Sequence, residues 1–289
     1  MLGGILRGVD VQSIQRLIKV GMSSMVLIVD ILRGRGASEI SRGVILLYHD
    51  VHERDRLRFR RQLRTIRRCA VPVRLEDIEG APDGRWRVAV TFDDGRRTFL
   101  DTAVGELGAE QVPATLFVPS AIMGTSIPDE ADSALMTNDE LARLPHFVEI
   151  GSHGRSHLRQ SRLPAEGLKD ELAGSRQELE TVVGRTVERH AYPYGDHTPE
   201  VVDAASEVYR SCYTVVPHLA PVGPSYTTGR VVVDPDDWPI EFALKIRGAY
   251  RWMGTYMHAK ERLKRLLGRR DERDAADGSH RSRSTYHVA

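Results

Sequence analysis

Two adjacent carboxylates at the end of an apolar run are the first chemically suggestive feature of this sequence. In the stretch Arg87 to Gly95, Val88, Val90 and Phe92 alternate with Ala89 and Thr91, then give way to Asp93, Asp94 and a turn-forming glycine. The alternation is that of a short buried strand. A carboxylate pair there is costly to bury without a positive partner. It reads either as a solvated turn or as a metal ligand beside a general base. Imidazoles elsewhere favour the second reading. Val148 to Ile150 is another strand, and it runs into a loop carrying His153 and His157, four residues apart. Two imidazoles and one aspartate form a facial set with open positions, as a hydrolytic Zn²⁺ site requires. The other aspartate is left over as a base. Aspartate is too weak a base for free water, whose pKa is about 15.7, but a bound cation brings water to about 7.

These residues need elements to hold them. Val44 to His49 reads as a strand ending in an imidazole. Arg54 to Arg68 is a basic helix with Leu57, Phe59, Leu63 and Ile66 as its apolar positions. After the Asp93–Asp94 strand come a helix from Thr98 to Leu107, a strand at Ala114–Pro119, and a short helix at Asn138–Leu144 capped near Thr137 or Asn138. A long helix from Leu163 to Val183 stops at Gly184. His190–Gly195 is a strand ending in a Pro/Gly turn, Pro199–Val208 a helix, Tyr213–Val216 and Arg230–Val233 strands, and Ile240–Leu267 largely helix with Gly248 and Gly254 as weak points. Strand and helix alternate over about 200 residues, the pattern of a parallel α/β sheet or barrel. In such folds chemistry gathers at the carboxyl ends of strands. His49, Asp93, Asp94, His153, His157 and Tyr194 all follow predicted strands.

Composition sets outer limits. The 289 residues are 41% hydrophobic and 28% charged, enough for one large domain with tails. A formal net charge of +1 gives no global field for nucleic acid. Two isolated cysteines, Cys69 and Cys212, make no disulfide framework and permit a reducing compartment. The first residues lack the pattern of a secretory signal. The apolar run from Val20 to Leu32 is shorter than the roughly 20 residues needed to span a bilayer. The expected location is therefore cytoplasmic, with peripheral membrane contact as an open alternative. Residues 1–40 read as an amphipathic helix and linker, 41–267 as the catalytic domain and 268–289 as a disordered polar tail. In the first segment Val11, Ile14, Leu17 and Ile18 recur at helical spacing up to about Leu32, with a break at Arg33–Gly36. Two readings stay open for it: a helix packed on the domain, or a membrane-surface helix.

Three stretches together resemble a family. Thr91–Gly95 (Thr-Phe-Asp-Asp-Gly), Ser152-His153 with His157, and Tyr192–Gly195 (Tyr-Pro-Tyr-Gly) resemble the motifs of polysaccharide deacetylases of the NodB-homology type, carbohydrate esterase family 4. The resemblance runs from about Val44 to Val233. It implies a distorted, incomplete (β/α) barrel and metal-dependent removal of acetyl groups from glycans. It further implies Asp94, His153 and His157 as ligands of a divalent metal, expected to be Zn²⁺, Asp93 as general base, and the Tyr194 N–H as oxyanion donor. Tyr48-His49 matches the branch resembling poly-N-acetylglucosamine deacetylases, which implies His49 as general acid; His218 and His258 are the rivals. The sequence departs from the pattern in two places. Gly154 follows the first metal histidine where Ser or Thr is usual, implying a looser ligand loop. Ala191 stands where many members carry an arginine that orients the base. Arg230 is the candidate replacement, and Arg230 and Trp238 are candidate substrate contacts with Tyr194.

The expected function is an N-deacetylase acting on N-acetylhexosamine in a polysaccharide or its precursor. The alternatives are an O-acetyl esterase or non-sugar amidase using the same site, and a non-catalytic glycan-binding partner of a synthase.

Overall fold

The computed structural model describes residues 11–33, 43–80, 84–127, 134–260 and 262. Most of the predicted linker and the whole of the predicted polar tail lie outside these residues. Eight parallel strands form one sheet: β1 (Gly43–Tyr48), β2 (Val71–Val73), β3 (Arg87–Phe92), β4 (Ala114–Val118), β5 (Val148–Ser152), β6 (Arg189–Ala191), β7 (Ser211–Tyr213) and β8 (Val231–Val232). The spatial order is β7-β6-β5-β4-β3-β1-β8, and β2 pairs with the first half of β3. The sheet curls into an incomplete barrel. Its gap lies between β7 and β8, and the chain at Thr228 spans it. Thr228 bridges Tyr213, while Val231 and Val232 pair with Leu46 and Leu47. Arg230 thus sits on the segment that draws the two edges together.

The strands alternate between two faces, as a period of two requires. Val44, Leu46, Tyr48, Val88, Val90, Phe92, Leu116 and Val118 face outward into the main core beneath the helices. Ile45, Ala89, Phe117, Ala191 and Tyr213 belong to a smaller cluster on the other face. Phe117 passes so close to β5 that a Cβ on Gly151 would come within 2.4 Å of its ring. Glycine is required there because a neighbour occupies the side-chain position.

The helical layer comprises α1 (Val11–Leu32), α2 (Arg56–Cys69), α3 (Leu75–Ile78), α4 (Val104–Ala109), α5 (Asn138–Ala142), α6 (Ala165–Lys169), α7 (Ser175–Val183), α8 (Pro199–Val208) and α9 (Pro239–Lys245). Phe99–Ala103 leads into α4 as a wide helical turn, and Asp170–Gly174 joins α6 to α7 in the same way. Thr137 caps α5 through a reciprocal pair with Glu140.

Several expectations change. The strand expected at Tyr213–Val216 is Ser211–Tyr213, because its partner contacts end where Thr228 crosses. The helix expected from Ile240 stops at Lys245. Gly248 adopts φ +70 there, and helix resumes at residue 252. Leu57 is exposed, unlike the other three apolar positions of α2. The pairing of β2 and the short α3 had no sequence signal. No helix among the described residues is long and apolar enough to cross a membrane.

Candidate active site

The carboxyl ends of β1, β3, β5 and β6 meet at one rim, and the segment after β7 adds Arg230. The ladder between β1 and β3 runs one residue past β3, with Asp93 N–H donating to the Tyr48 carbonyl (3.1 Å). That contact turns Asp93 inward. The next residue, Asp94, takes φ +75, which swings its carboxylate beside the first. Both are almost fully buried.

Arg230 accounts for the burial of Asp93. Its Nη1 and Nη2 donate to Oδ1 and Oδ2 of Asp93 at 2.6 and 2.7 Å, a two-pronged charge-assisted pair. The remaining guanidinium donors reach Thr91 Oγ1 and the Thr214 carbonyl, both at 3.2 Å. Burial alone pushes the Asp93 carboxyl upward in pKa. The Arg230 and His153 charges, with His49 further off, overcome that and hold it below the usual carboxylate range. Asp93 is therefore an anion near neutral pH. Arg230 is wholly buried, and its guanidinium is turned to Asp93, Thr91 and Thr214; it places beside the carboxylate a charge that Ala191 cannot offer.

Asp94 gathers the imidazoles. His157 Nε2 and His153 Nε2 lie 3.3 and 3.6 Å from its Oδ1, and one donor atom from each of the three residues lies within 4.8 Å of the others. His153 Nδ1 contacts the Ala191 carbonyl at 2.7 Å. With Nδ1 as the donor, Nε2 presents a lone pair towards Asp94, the arrangement of a metal-binding histidine. Burial lowers the His153 pKa and favours the neutral ring. His157 Nδ1 is buried without a partner. An N₂O set of this compactness suits a divalent cation such as Zn²⁺. On the far side, Arg96 donates to Asp94 Oδ2 at 2.9 Å and reaches Asp50 Oδ2 at 3.1 Å, tying the turn after β3 to the end of β1.

The loop from Gly151 to His157 is clamped, not loose. Glu171 Oε2 accepts the backbone N–H groups of Arg155 (2.7 Å) and Ser156 (3.2 Å). Ser175 Oγ donates to the Gly154 carbonyl at 2.8 Å, and Ser152 Oγ accepts the Gly154 N–H at 3.1 Å. Gly154 has φ +76, and a Cβ there would come within 2.8 Å of Glu171 Oε2. The glycine lets the clamp close, which reverses the expected loosening.

Tyr194 follows β6 in the left-handed conformation, φ +60. Its half-exposed ring lies 4.7 Å from the His157 ring and beneath the Arg159 guanidinium at 4.4 Å. His49 is exposed at the end of β1 and contributes to the field at both aspartates. The rival imidazoles are elsewhere. His218 and His258 pair with each other at 3.2 Å. Ala220, two residues on, bonds the carbonyl of Gly43 at the start of β1, which puts His218 at the opposite end of the strands. Trp238 gives its ring face to Arg16 at 4.9 Å, so that face is not free for a sugar. Sequence reasoning missed Arg96, Asp50 and Glu171, which carry no motif of their own.

Known proteins share this architecture. The deacetylase PplD of Streptococcus pyogenes superposes with TM-score 0.61 at 17% identity, covering 71% of this chain and 98% of its own. IcaB from Ammonifex degensii gives TM-score 0.61 at 23% identity, with 71% and 97% covered. BC0361, a polysaccharide deacetylase from Bacillus cereus, gives 0.60 at 20%, with 70% and 68% covered. At these identities the likeness establishes the fold. No curated protein matches the chain in sequence. Residues 80–210, which hold Asp93, Asp94, His153, His157 and Tyr194, match the family model for polysaccharide deacetylase, and this part of the chain is a polysaccharide deacetylase domain, a hydrolase by family.

Proposed function

We propose that the domain is a metal-dependent hydrolase that removes N-acetyl groups from N-acetylhexosamine residues of a polysaccharide or its precursor. One observation carries the reading. Asp94, His153 and His157 converge as a buried donor set while the neighbouring carboxylate, Asp93, is held ionised by Arg230. A cation held by those three residues supplies Lewis acidity to water and to the amide carbonyl.

The chain's own groups do the rest. Asp93 takes the proton of the attacking water, its second lone pairs being free beyond the Arg230 contacts. Arg230 fixes the orientation of that carboxylate and limits its basicity. The Tyr194 N–H donates to the oxygen on which negative charge develops. His49, solvent-accessible at the rim, delivers a proton to the departing nitrogen, and the C–N bond breaks to give the free amine and acetate. The half-exposed Tyr194 ring, with Arg159 over one face, lines the rim beside the donor set where a pyranose would sit.

The test is acetate release by the purified chain, with metal content measured on the same sample. N-acetylglucosamine oligomers and an acetyl ester are offered in parallel. Metal-dependent release from the oligomers supports the reading. Release from the ester alone transfers the activity to O-deacetylation. No release from either, with the metal bound, defeats it.

A further inference from the structure

Helix α1 turns most of its large apolar side chains away from the domain. It docks on the domain through polar side chains spaced seven residues apart, Arg16, Ser23 and Asp30, with Val20 and Leu27 packed against the core beside them. Arg16 Nε meets Glu241 Oε2 at 2.5 Å, Ser23 Oγ accepts from Trp252 Nε1 at 2.9 Å, and Asp30 holds Arg251 Nη2 through both oxygens at 2.7 Å. Ser23 and Asp30 are buried. At 3.6 residues per turn, that spacing places the three on one face. The opposite face carries Ile14, Leu17, Ile18, Met22, Met25 and Ile28, between 45% and 61% exposed, and Ile31 and Leu32 extend it to 66% and 80%. No charged side chain interrupts this ridge, and α1's single acidic residue, Asp30, is turned into the domain.

The surroundings identify what covers the ridge. Arg33 is exposed at one end of α1. The adjoining helical segment that begins at residue 252 exposes Tyr256, Met257, Lys260 and Arg262. An aliphatic ridge rimmed by aromatic and basic side chains has the composition of a helix lying in a lipid interface. Geometry argues against a second copy. A ridge one helix wide, about 30 Å by 10 Å, offers roughly 300 Å², whereas a stable partner interface needs about 800 Å² per side. A convex ridge of that width is enclosed by a fluid surface more readily than by a rigid one.

We propose that the outer face of α1 binds an anionic lipid surface, seating the domain peripherally with α1 in the headgroup plane. The experiment is flotation of the full 289-residue chain with vesicles of phosphatidylcholine containing about a quarter phosphatidylglycerol, at low and high salt. It is paired with the triple variant Leu17→Gln, Met25→Gln, Ile28→Gln. All three positions are exposed, so the variant keeps its far-UV spectrum, its melting temperature and its acetate release from soluble oligomers. The expected result is co-flotation of the native chain, partly lost with salt, and about a hundredfold weaker partitioning of the variant. Equal flotation of the two chains overturns the proposal, as does a native chain that stays with the unbound fraction. A concentration-dependent dimer abolished in the variant, without flotation of the native chain, assigns the ridge to self-association and equally overturns it.

Discussion

Replacing Arg230 by methionine should expose the energetics of the whole site. The side chain is fully buried and makes a two-pronged pair with an equally buried Asp93. Methionine keeps most of the volume and removes the charge. Breaking one partner of a buried pair costs about 3–5 kcal/mol, because the other charge is left without compensation. The carboxylate can escape part of that by taking up a proton. Loss of the guanidinium in contact raises the carboxyl pKa, because burial then penalises the charged form without compensation. The sign follows from the two folded-state values. In the native chain the Asp93 pKa is depressed, so its contribution is present above the unfolded value near 3.9 and fades as pH falls. In Arg230→Met the folded pKa is raised, so stability is lost as pH rises through it. The difference between the two chains must therefore grow from pH 4.5 to pH 8. Denaturant titrations across that range measure it, and the acid limb of turnover should move upward with the same pKa. In an Asp93→Asn background the arginine substitution should cost about 1.5–3 kcal/mol less, the coupling expected of a charge-assisted contact. A penalty below about 1 kcal/mol, or one independent of pH, would refute the assignment of Arg230 as the group that keeps Asp93 ionised. Arg230→Lys, with one donor in place of a fork, should fall between and covers the case in which methionine prevents folding.

Other expectations separate the remaining roles. Asp93→Asn should retain the metal yet lose about 10²–10⁴-fold in acetate release, whereas His153→Ala should lose metal and turnover together; metal analysis beside the acetate assay distinguishes them. Glu171→Ala removes the acceptor for two loop N–H groups and should weaken metal affinity about 10–100-fold without touching a donor atom, as read by competition with a chromogenic chelator. Gly151→Ala drives a methyl group into the Phe117 ring and should cost about 1–3 kcal/mol by thermal or denaturant unfolding. The double substitution His218→Ala, His258→Ala should leave turnover unchanged, since that pair lies at the other end of the strands; a loss of turnover would return the general acid to one of them.

The strands that carry the site were legible because each is a run of apolar residues closed by a polar one. Asp93, His153 and Tyr194 stand where such runs end, so their convergence could be anticipated from parallel topology alone. Asp94 and His157 could be grouped with them only by residue type and spacing. Arg96 and Glu171 could not be found this way. Each acts through a partner that only folding brings near: Arg96 through Asp50, and Glu171 through backbone groups fifteen and sixteen residues before it. The charge of Arg230 is legible in the sequence but its burial is not, because burial depends on the gap between β7 and β8 that its segment closes. The β2 strand is three residues long with a proline at its centre, too little to carry a period. In α1 the repeat is clear, but an apolar stripe is ordinarily assigned to the core, whereas here most of it faces outward and Arg16, Ser23 and Asp30 face inward beside Val20 and Leu27.

Among the described residues, four that are not glycine adopt positive φ, and Asp94, His157 and Tyr194 are three of them. A side chain in that conformation costs about 1–2 kcal/mol relative to glycine, less for aspartate. Heat resistance and turnover therefore pull in opposite directions at these positions. A library selected only for surviving high temperature should drift towards glycine at 94, 157 and 194 and become inert as it hardens. A copy of this domain freed from its catalytic duty would carry the same mark, legible from its sequence before any assay was run.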